Sequence, residues 1–440
     1  MTLRVLAFLC LLAAVAPVAA QQQIAFDEFA RRLDPYFAPE LVEDVRQALP
    51  QAAFDVWGYD VGDFTGDGAN DLALTLRMRS DSRARINVYY FVDDEGTMRM
   101  IREAVEPFVT LPIEVGVAIR DGNVYTIHKE KEYEWEVVGH RFRDGVLMMV
   151  DRFRTIRVGD ETHETYRNFQ SLEGYERYLS VATEKQIFRS DFLSVPAYRR
   201  GRDVPSGYQS TASAGFSKFI SRGAYFWNSE SDASIDMRAA YDDDFLYFNI
   251  VVRDDQVVPI PVNGIDTTAD RLEVWLDMYA LGDRIRSGRR TRDFRMKTDS
   301  NIYAIEIPLG EFLDVQPKMK TSNELDDEQQ GAVKRVKAVA ARIDSGYSVK
   351  IRLPLQLLGF AAPPLEDGQL AEFGATVVVH DVDNPYRPEE TTTISTSQNF
   401  ESTKPATFGS LVLVPETLHY GESLNIYLGD LRERLEEVGY

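Results

Sequence analysis

Short segments of β-forming residues recur at regular intervals through the second half of the chain, separated by turn residues. They are residues 234–240, 246–252, 272–276, 294–297, 303–308, 336–343, 347–354, 375–380 and 411–414. Regular short strands joined by turns are typical of an antiparallel β-sandwich, whereas a nucleotide-binding sheet would alternate strands with helices. The pattern therefore predicts a sandwich over residues 196–415.

A smaller β-rich region precedes the sandwich, over residues 21–160. Residues 25–49 carry apolar side chains at helical spacing, and Pro35 and Pro39 interrupt this pattern in the middle. From residue 57 to 158, β-forming segments alternate with turn sequences such as those at 93–96, 120–123 and 143–145. The first half is thus predicted to be a β-hairpin-rich domain with a short helical cap, and the fold class is mainly β.

Two further segments lie outside these domains. Residues 161–195 are more polar, and we predict a connector that is helical in part. Residues 416–440 carry four leucines on one helical face: Leu424, Leu428, Leu431 and Leu435. They predict a C-terminal helix that either packs on the second domain or presents a face for a protein partner.

The N-terminal residues have the features of a secretory signal. Arg4 precedes an apolar run over residues 5–15, and small residues end at Ala20. The run is too short to span a bilayer comfortably, so we predict cleavage of residues 1–20 and a secreted or periplasmic protein. Cys10 is the only cysteine and lies in this segment, so the mature chain is expected to lack disulfides and thiol chemistry.

The chain is strongly acidic, with 49 Lys and Arg against 70 Asp and Glu and a formal net charge of −21. Such a charge repels nucleic acid and anionic lipid, and it attracts divalent cations. A source adapted to high salt would explain the same composition. The charge therefore predicts no nucleic-acid partner.

One loop, residues 63–72, has the residue types and spacing of a calcium-binding loop. The candidate ligands are the side chains of Asp63, Thr65, Asp67 and Asp71 and the carbonyl of Ala69. Gly66 and Gly68 permit a tight curl, but Leu74 stands where a helix-loop-helix site requires glutamate. The loop resembles the calcium loop of FG-GAP (VCBS-like) repeats, which implies a structural calcium. The alternative is a turn rich in Asp and Gly that binds no ion.

Six sequence segments in the second half resemble the family 9 carbohydrate-binding module. They occur in the family's order, over roughly 200 residues. They are residues 237–255, 270–277, 294–296, 345–354, 373–384 and 405–413. The resemblance implies a β-sandwich, often with bound calcium, that holds the ends of polysaccharide chains.

The same resemblance indicates a sugar site. Glu273 and Arg295 match family positions that contact sugar through charge-assisted hydrogen bonds. Family members clamp the sugar ring between two tryptophans, but here the corresponding loops offer only Phe400. Trp275 is predicted to be a core residue. The alternative for Glu273 and Arg295 is an ion pair on the sheet surface.

The sequence carries no recognisable catalytic motif. The sequence contains no helix-spaced histidine pair, no Gly-x-Ser-x-Gly elbow and no phosphate-binding glycine loop. Carboxylate pairs such as Asp254 and Asp255 lie in turn sequences, where cation binding or solvation explains them. We therefore predict a non-catalytic carbohydrate-binding protein with structural calcium. The alternative is a structural or adhesion-type module at the cell envelope that has lost sugar binding and binds protein.

The segment 284–297 is basic, in contrast to the rest of the chain. It is interpreted either as a solvated hairpin or as a dock for an anionic glycan or for the protein's own acidic surface.

Overall fold

The computed structural model describes residues 24–50, 54–79, 86–106, 114–131, 134–143, 145–201, 209–278, 302–312, 314–321, 325–365, 371–404 and 407–414. These residues group into two compact units that divide after Arg143. The predicted signal segment 1–20, the basic segment 284–297 with Arg295, and the predicted C-terminal helix within 416–440 lie outside the described residues.

Unit 1 begins with the predicted helical cap. Helices α1 (Phe26–Leu33) and α2 (Pro39–Ala48) place an apolar face, including Phe29 and Val45, against the first sheet. Pro39 is the first residue of α2, where the missing N–H would have no helical partner in any case. The predicted pair of helices with a break at the prolines is therefore confirmed.

The strands of unit 1 are β1 (Phe54–Gly62), β2 (Asp71–Met78), β3 (Ile86–Asp93), β4 (Met98–Glu106), β5 (Glu114–Arg120), β6 (Asn123–Lys131) and β7 (Glu134–Arg143). Strands β1 to β4 form one antiparallel sheet in chain order, and β5 to β7 form a meander. The β5–β6 turn lies at the predicted residues 120–123, where Gly122 has a positive φ of 70°. The prediction of a hairpin-rich domain is confirmed.

Unit 2 begins with four long antiparallel strands: β8 (Val146–Val158), β9 (Glu161–Asn168), β10 (Glu173–Ser180) and β11 (Gln186–Arg199). The prediction that residues 161–195 are partly helical was wrong. Charged residues interrupt the apolar pattern of these strands. Arg167 on β9 is buried between Glu176 and Glu372, with ion-pair distances of 3.4 and 2.5 Å. A buried ion network removes the apolar alternation by which a strand is recognised in a sequence.

The sandwich follows. Its strands are β12 (Ala212–Ala214), β13 (Ile220–Arg222), β14 (Ala233–Tyr241), β15 (Phe245–Asp254), β16 (Arg271–Asp277), β17 (Ile302–Pro308), β18 (Asp314–Val315), β19 (Lys318–Thr321), β20 (Lys337–Ile343), β21 (Gly346–Pro354), β22 (Ala371–Asp381), β23 (Thr392–Ser395) and β24 (Ser410–Leu413), with helix α3 (Asp327–Val333) before β20. Every predicted strand of this region is confirmed except 294–297, which is outside the described residues.

The strands pair into two sheets. Strands β14, β15, β21 and β20 are successive antiparallel neighbours, and β17, β16 and β22 form the centre of the other sheet. Strand β11 pairs in parallel with both β14 and β24 and so joins the sheets at one side. The predicted mainly β fold with an antiparallel sandwich is confirmed.

The core of unit 2 forms from alternate residues of these strands. On β15, Leu246, Phe248 and Ile250 point inward, and on β16 Leu272 and Val274 do the same. Side chains at the intervening positions face outward, because successive residues of a strand point to opposite faces. This alternation decides which side chains of the sandwich are accessible to a ligand.

Asp151 on β8 provides a pH test of this fold. The side chain is buried, its Oδ1 has no hydrogen-bond partner, and burial raises its pKa from 3.8 to about 7. Between these two values the folded state binds more protons than the unfolded state, so this carboxyl lowers the free energy of unfolding as pH rises through that window. We expect Asp151→Asn to be more stable than the wild type at pH 8, with the difference shrinking towards pH 4.

Urea unfolding at several pH values measures this difference. Asp160→Asn, which changes an exposed carboxyl in the turn after β8, is the matched control. Equal pH dependence of stability for the two variants would contradict the assignment.

Candidate functional site

The outward face of the β17–β16–β22 sheet carries a row of polar and aromatic side chains. Glu273 and Trp275 alternate with the buried Leu272, Val274 and Leu276 along β16. The prediction that Trp275 is a core residue was wrong, since the period of two places it on the same face as Glu273. Its position two residues after Glu273 was the available sequence signal.

Glu273 is held in place by two neighbours. The indole Nε1 of Trp275 donates to Glu273 Oε2 at 2.8 Å, and His380 Nε2 lies 3.5 Å from Glu273 Oε1. Burial alone would raise the pKa of Glu273, but His380 and the indole hydrogen bond outweigh it and lower the pKa from 4.5 to about 2. Glu273 is therefore an ionised acceptor, and 16% of its side chain remains exposed.

Trp275 is also the edge of an aromatic cluster. Its ring centroid lies 5.6 Å from that of Phe400 and 6.5 Å from that of Phe408, and these two rings are 5.2 Å apart. Phe408 is buried, whereas Trp275 and Phe400 are partly exposed. These centroid separations are within the range of favourable aromatic pairs, and the indole hydrogen bond of Trp275 joins the cluster to the Glu273 carboxylate.

Charged groups continue the row on β17 and β19. Glu306 is directly opposite Glu273 in the β16–β17 register. Lys320 Nζ lies 2.7 Å from Glu306 Oε2, and Lys318 Nζ lies 3.6 Å from Glu306 Oε1. Like charges directly opposite in a sheet are destabilising, and these ammonium groups compensate for them. The face thus presents alternating hydrogen-bond donors and acceptors.

Of the three side chains predicted to contact sugar, two belong to the described residues. Glu273 and Phe400 both contact Trp275, so the fold brings them to one aromatic cluster. Arg295 lies outside the described residues. Sequence reasoning missed the parts played by Trp275 and His380 beside Glu273.

The loop predicted to bind calcium lies between β1 and β2 in unit 1. Asp63 accepts hydrogen bonds from Gly66 N at 2.5 Å and Gly68 N at 2.9 Å. The two glycines have φ values of 84° and 89°, as expected for the tight curl. Asp67 accepts from Ala69 N at 2.8 Å. Loop N–H groups therefore engage carboxylates that were predicted to be ligands.

Asp71 closes this loop from the start of β2. Its buried carboxylate accepts from the backbone N–H groups of Phe64, Thr65 and Asp93 at 2.8, 3.0 and 3.2 Å. Burial nevertheless raises its pKa to about 6. Thr65 Oγ1 is 3.3 Å from Asp63 Oδ1. Hydrogen bonds of this kind also occur in a turn that binds no ion, so calcium at this loop stays a prediction.

A second group of carboxylates gathers in unit 2, where the ends of β15 and β22 meet. Oxygen atoms of Asp254, Asp381 and Asp383 lie within 4.8 Å of one another, and so do those of Asp232, Asp255 and Asp383. Asp254 and Asp381 are only 4% and 2% exposed. Asp254 Oδ2 and both oxygens of Asp381 have no hydrogen-bond partner.

The electrostatics of this aspartate cluster are unfavourable for ionised carboxylates. Burial, and then repulsion from neighbouring carboxylates, raises the pKa of Asp381 to about 10 and that of the adjoining Asp270 to about 8. For Asp254, burial raises the pKa to about 6. Several unpaired oxygens in one buried place match the ligand preference of a hard cation such as calcium. Sequence reasoning assigned Asp254 and Asp255 to cation binding or solvation, but it did not join them to Asp381.

Among the helices in the described parts of the chain, none is both long enough and apolar enough to cross a membrane.

One family model matches most of the second half of the chain. Residues 204–416 match the family model described as carbohydrate family 9 binding domain-like. A comparison of the sequence with curated proteins gave no significant match.

Three solved structures resemble part of the chain. Two are a carbohydrate-binding module of family 9 from Caldicellulosiruptor kristjanssonii, with cellotriose and with glucose. Each is 16% identical; they cover 50% and 51% of this chain and 93% and 96% of theirs, with TM-scores of 0.31 and 0.32. The third is a putative carbohydrate-binding protein from Bacteroides uniformis, 13% identical over 41% of this chain and 79% of its own, with a TM-score of 0.26.

These TM-scores are below 0.5, so the alignments add nothing to what the family model indicates. The family match covers the two sheets, the Glu273–Trp275 face and the aspartate cluster. Residues 204–416 therefore fold as a β-sandwich and match the carbohydrate family 9 binding domain-like model, which covers just under half of the chain.

Proposed function

We propose that this protein binds the end of a polysaccharide or glycan, without catalysis, on the outward face of β17, β16 and β22. The observation that carries the proposal is the contact of Trp275 with both Glu273 and Phe400 on the accessible face of the matched domain. A sugar ring has an apolar face and a rim of hydroxyl groups. The partly exposed rings suit the first, and the ionised carboxylate suits the second.

The electrostatics of the face support binding rather than hydrolysis. A glycoside hydrolase needs a carboxylic acid that keeps its proton near the working pH, which requires a raised pKa. The pKa of Glu273 is instead lowered to about 2, and Glu306 is ion-paired with Lys320. Both carboxylates are thus suited to accept hydrogen bonds from sugar hydroxyls.

The cofactor in this proposal is structural calcium. The aspartate cluster of unit 2 would hold one ion, because its unpartnered oxygens face one another in a buried place. The loop at residues 63–71 would hold another through the predicted ligands. The proposed location is secreted or periplasmic, on the basis of the signal features in residues 1–20.

A second candidate function is binding of a protein at the cell envelope. Tyr225 and Tyr386 are 93% and 80% exposed, and exposed aromatic residues are enriched in protein interfaces. Under this alternative the sandwich has lost sugar binding, and these tyrosines contact the partner.

The sugar proposal predicts the effect of Trp275→Ala. Removal of the ring should weaken binding of cellotriose at least about tenfold, because a stacking contact of about 1.5 kcal/mol corresponds to that factor. Glu273→Gln should also weaken binding, since a neutral amide replaces a charged acceptor. Isothermal titration calorimetry measures both effects.

Tyr225→Ala is the matched control for loss of an aromatic side chain and should bind sugar as the wild type does. A glycan array extends the test beyond glucose oligomers. If the folded wild type captures no glycan on the array, the sugar proposal is wrong and protein binding becomes the better explanation.

The calcium proposal predicts that calcium stabilises the wild type more than it stabilises Asp381→Asn. In chelator-treated protein the variant should be more stable than the wild type, because it removes carboxylate repulsion. With calcium at about 100 times the wild type's dissociation constant, the wild type should gain about 2.7 kcal/mol, and the variant, which lacks one ligand, should gain less. Thermal unfolding with and without calcium gives both comparisons.

Calorimetric titration separates the two calcium sites. Asp381→Asn and Asp67→Ala should each lose one equivalent of bound calcium, while Asp243→Asn, in an exposed turn, should lose none. Chelator-treated wild type that takes up no calcium would rule out both sites.

A further inference from the structure

A basic groove of about 740 Å³ lies on the outward face of the other sheet, across β14, β15, β21 and β20. Six cationic side chains line it: Arg199, Arg200, Arg238, Lys337, Lys350 and Arg352. The whole chain carries a formal charge of −21, so this concentration of positive charge is opposite in sign to the protein around it.

The strand register places like charges next to one another in the groove. Lys337 on β20 is directly opposite Arg352 on β21. Asn249 on β15 lies between Arg238 on β14 and Lys350 on β21. Directly opposed like charges destabilise a sheet, and a bound anion would offset that cost.

Two of these cations are available for such an anion. Lys337 and Lys350 are exposed, and neither has a carboxylate within 4.0 Å among the described residues. By contrast, Arg199 pairs with Asp243 at 2.8 Å. The guanidinium carbon of Arg352 lies 4.6 Å from the centroid of the Phe245 ring.

The centre of the groove is polar and ordered. The hydroxyl of Tyr247 donates to Asp242 Oδ2 at 2.6 Å and accepts from Arg200 Nη1 at 3.1 Å. The guanidinium of Arg200 also lies 4.9 Å from the centroid of that ring. The partly exposed ring and the exposed amide of Asn249 offer an apolar surface and hydrogen bonds between the cations.

We propose that this groove binds an acidic polysaccharide through its carboxylate or sulfate groups. The groove is on the face of a sheet, where side chains are offered but backbone groups are already paired, whereas an extended peptide adds to a sheet edge. Of the aromatic residues that line the groove only Tyr247 is partly exposed, so the groove lacks the row of stacking platforms that single-stranded nucleic acid uses. A ligand with spaced anionic groups and hydroxyl groups matches the lysines, Asn249 and Tyr247. The site lies on the opposite sheet from Glu273 and is independent of the function proposed there.

The test uses the full chain, polygalacturonate oligomers and dextran sulfate as the acidic probes, and unmodified dextran as the neutral probe. We expect Lys337→Gln/Lys350→Gln to bind at least one acidic probe about tenfold more weakly than the wild type, a change of about 1.4 kcal/mol. The control Lys334→Gln/Arg342→Gln removes the same charge from exposed positions outside the groove and should bind as the wild type does. Comparison of the two acidic probes shows whether carboxylate or sulfate is preferred.

Several results would overturn this proposal. They are no binding of either acidic probe, equal weakening by both double variants, or equal binding of dextran. Binding of polyglutamate as tight as that of the polysaccharides would replace it with docking of an acidic protein segment. Cellotriose titration of the same variants distinguishes failure of this proposal from failure of the sugar proposal. If Trp275→Ala does not weaken cellotriose binding, the affinities for the acidic probes should still depend on Lys337 and Lys350.

Discussion

The alternation of residues along β16 is the constraint on which the candidate site depends. Burial of Leu272, Val274 and Leu276 in the sandwich core stabilises the fold, at roughly 1.5–3 kcal/mol for each fully buried side chain. The same burial leaves Glu273 and Trp275 no position except the outward face. A shift of one residue in the register would bury the carboxylate and expose the leucines, so the core itself holds the site in place.

At the ends of β15 and β22, burial of side chains costs free energy instead of stabilising the fold. There the strands carry aspartates into a place that is largely shielded from water, and burial and mutual repulsion both favour the protonated acids. Natural domains rarely keep such a group without compensation, because unpaired buried charge costs several kcal/mol. In the loop of unit 1, backbone N–H groups supply that compensation for Asp63 and Asp71. In unit 2 the oxygens of Asp381 have no such donor, and the proposed cation would supply the compensation.

Much of the fold could be predicted from the sequence, because its strands obey the period of two and its turns contain glycine. The strands at Ser234–Ala240 and Tyr347–Pro354, and the helices divided at Pro39, follow from local patterns. Residues 161–195 did not, since the buried Arg167 network places charges where apolar residues are expected. Only part of the candidate site could be predicted from the sequence. Glu273 and Phe400 came from a family resemblance, but the grouping of Asp254 with Asp381 depends on contacts between the two sheets, which a single sequence does not contain.

The net charge of this protein predicts little about its individual surfaces. Acidic side chains concentrate at strand ends and turns, such as residues 242–244, where solvent or a cation can compensate for them. Basic side chains concentrate on one sheet face, where Lys337 and Arg352 repel each other across paired strands. Charges this close interact strongly, whereas more distant charges are screened beyond a Debye length of about 8 Å at physiological salt. A ligand that approaches the β20–β21 face therefore experiences the local lysines and arginines rather than the −21 of the whole chain.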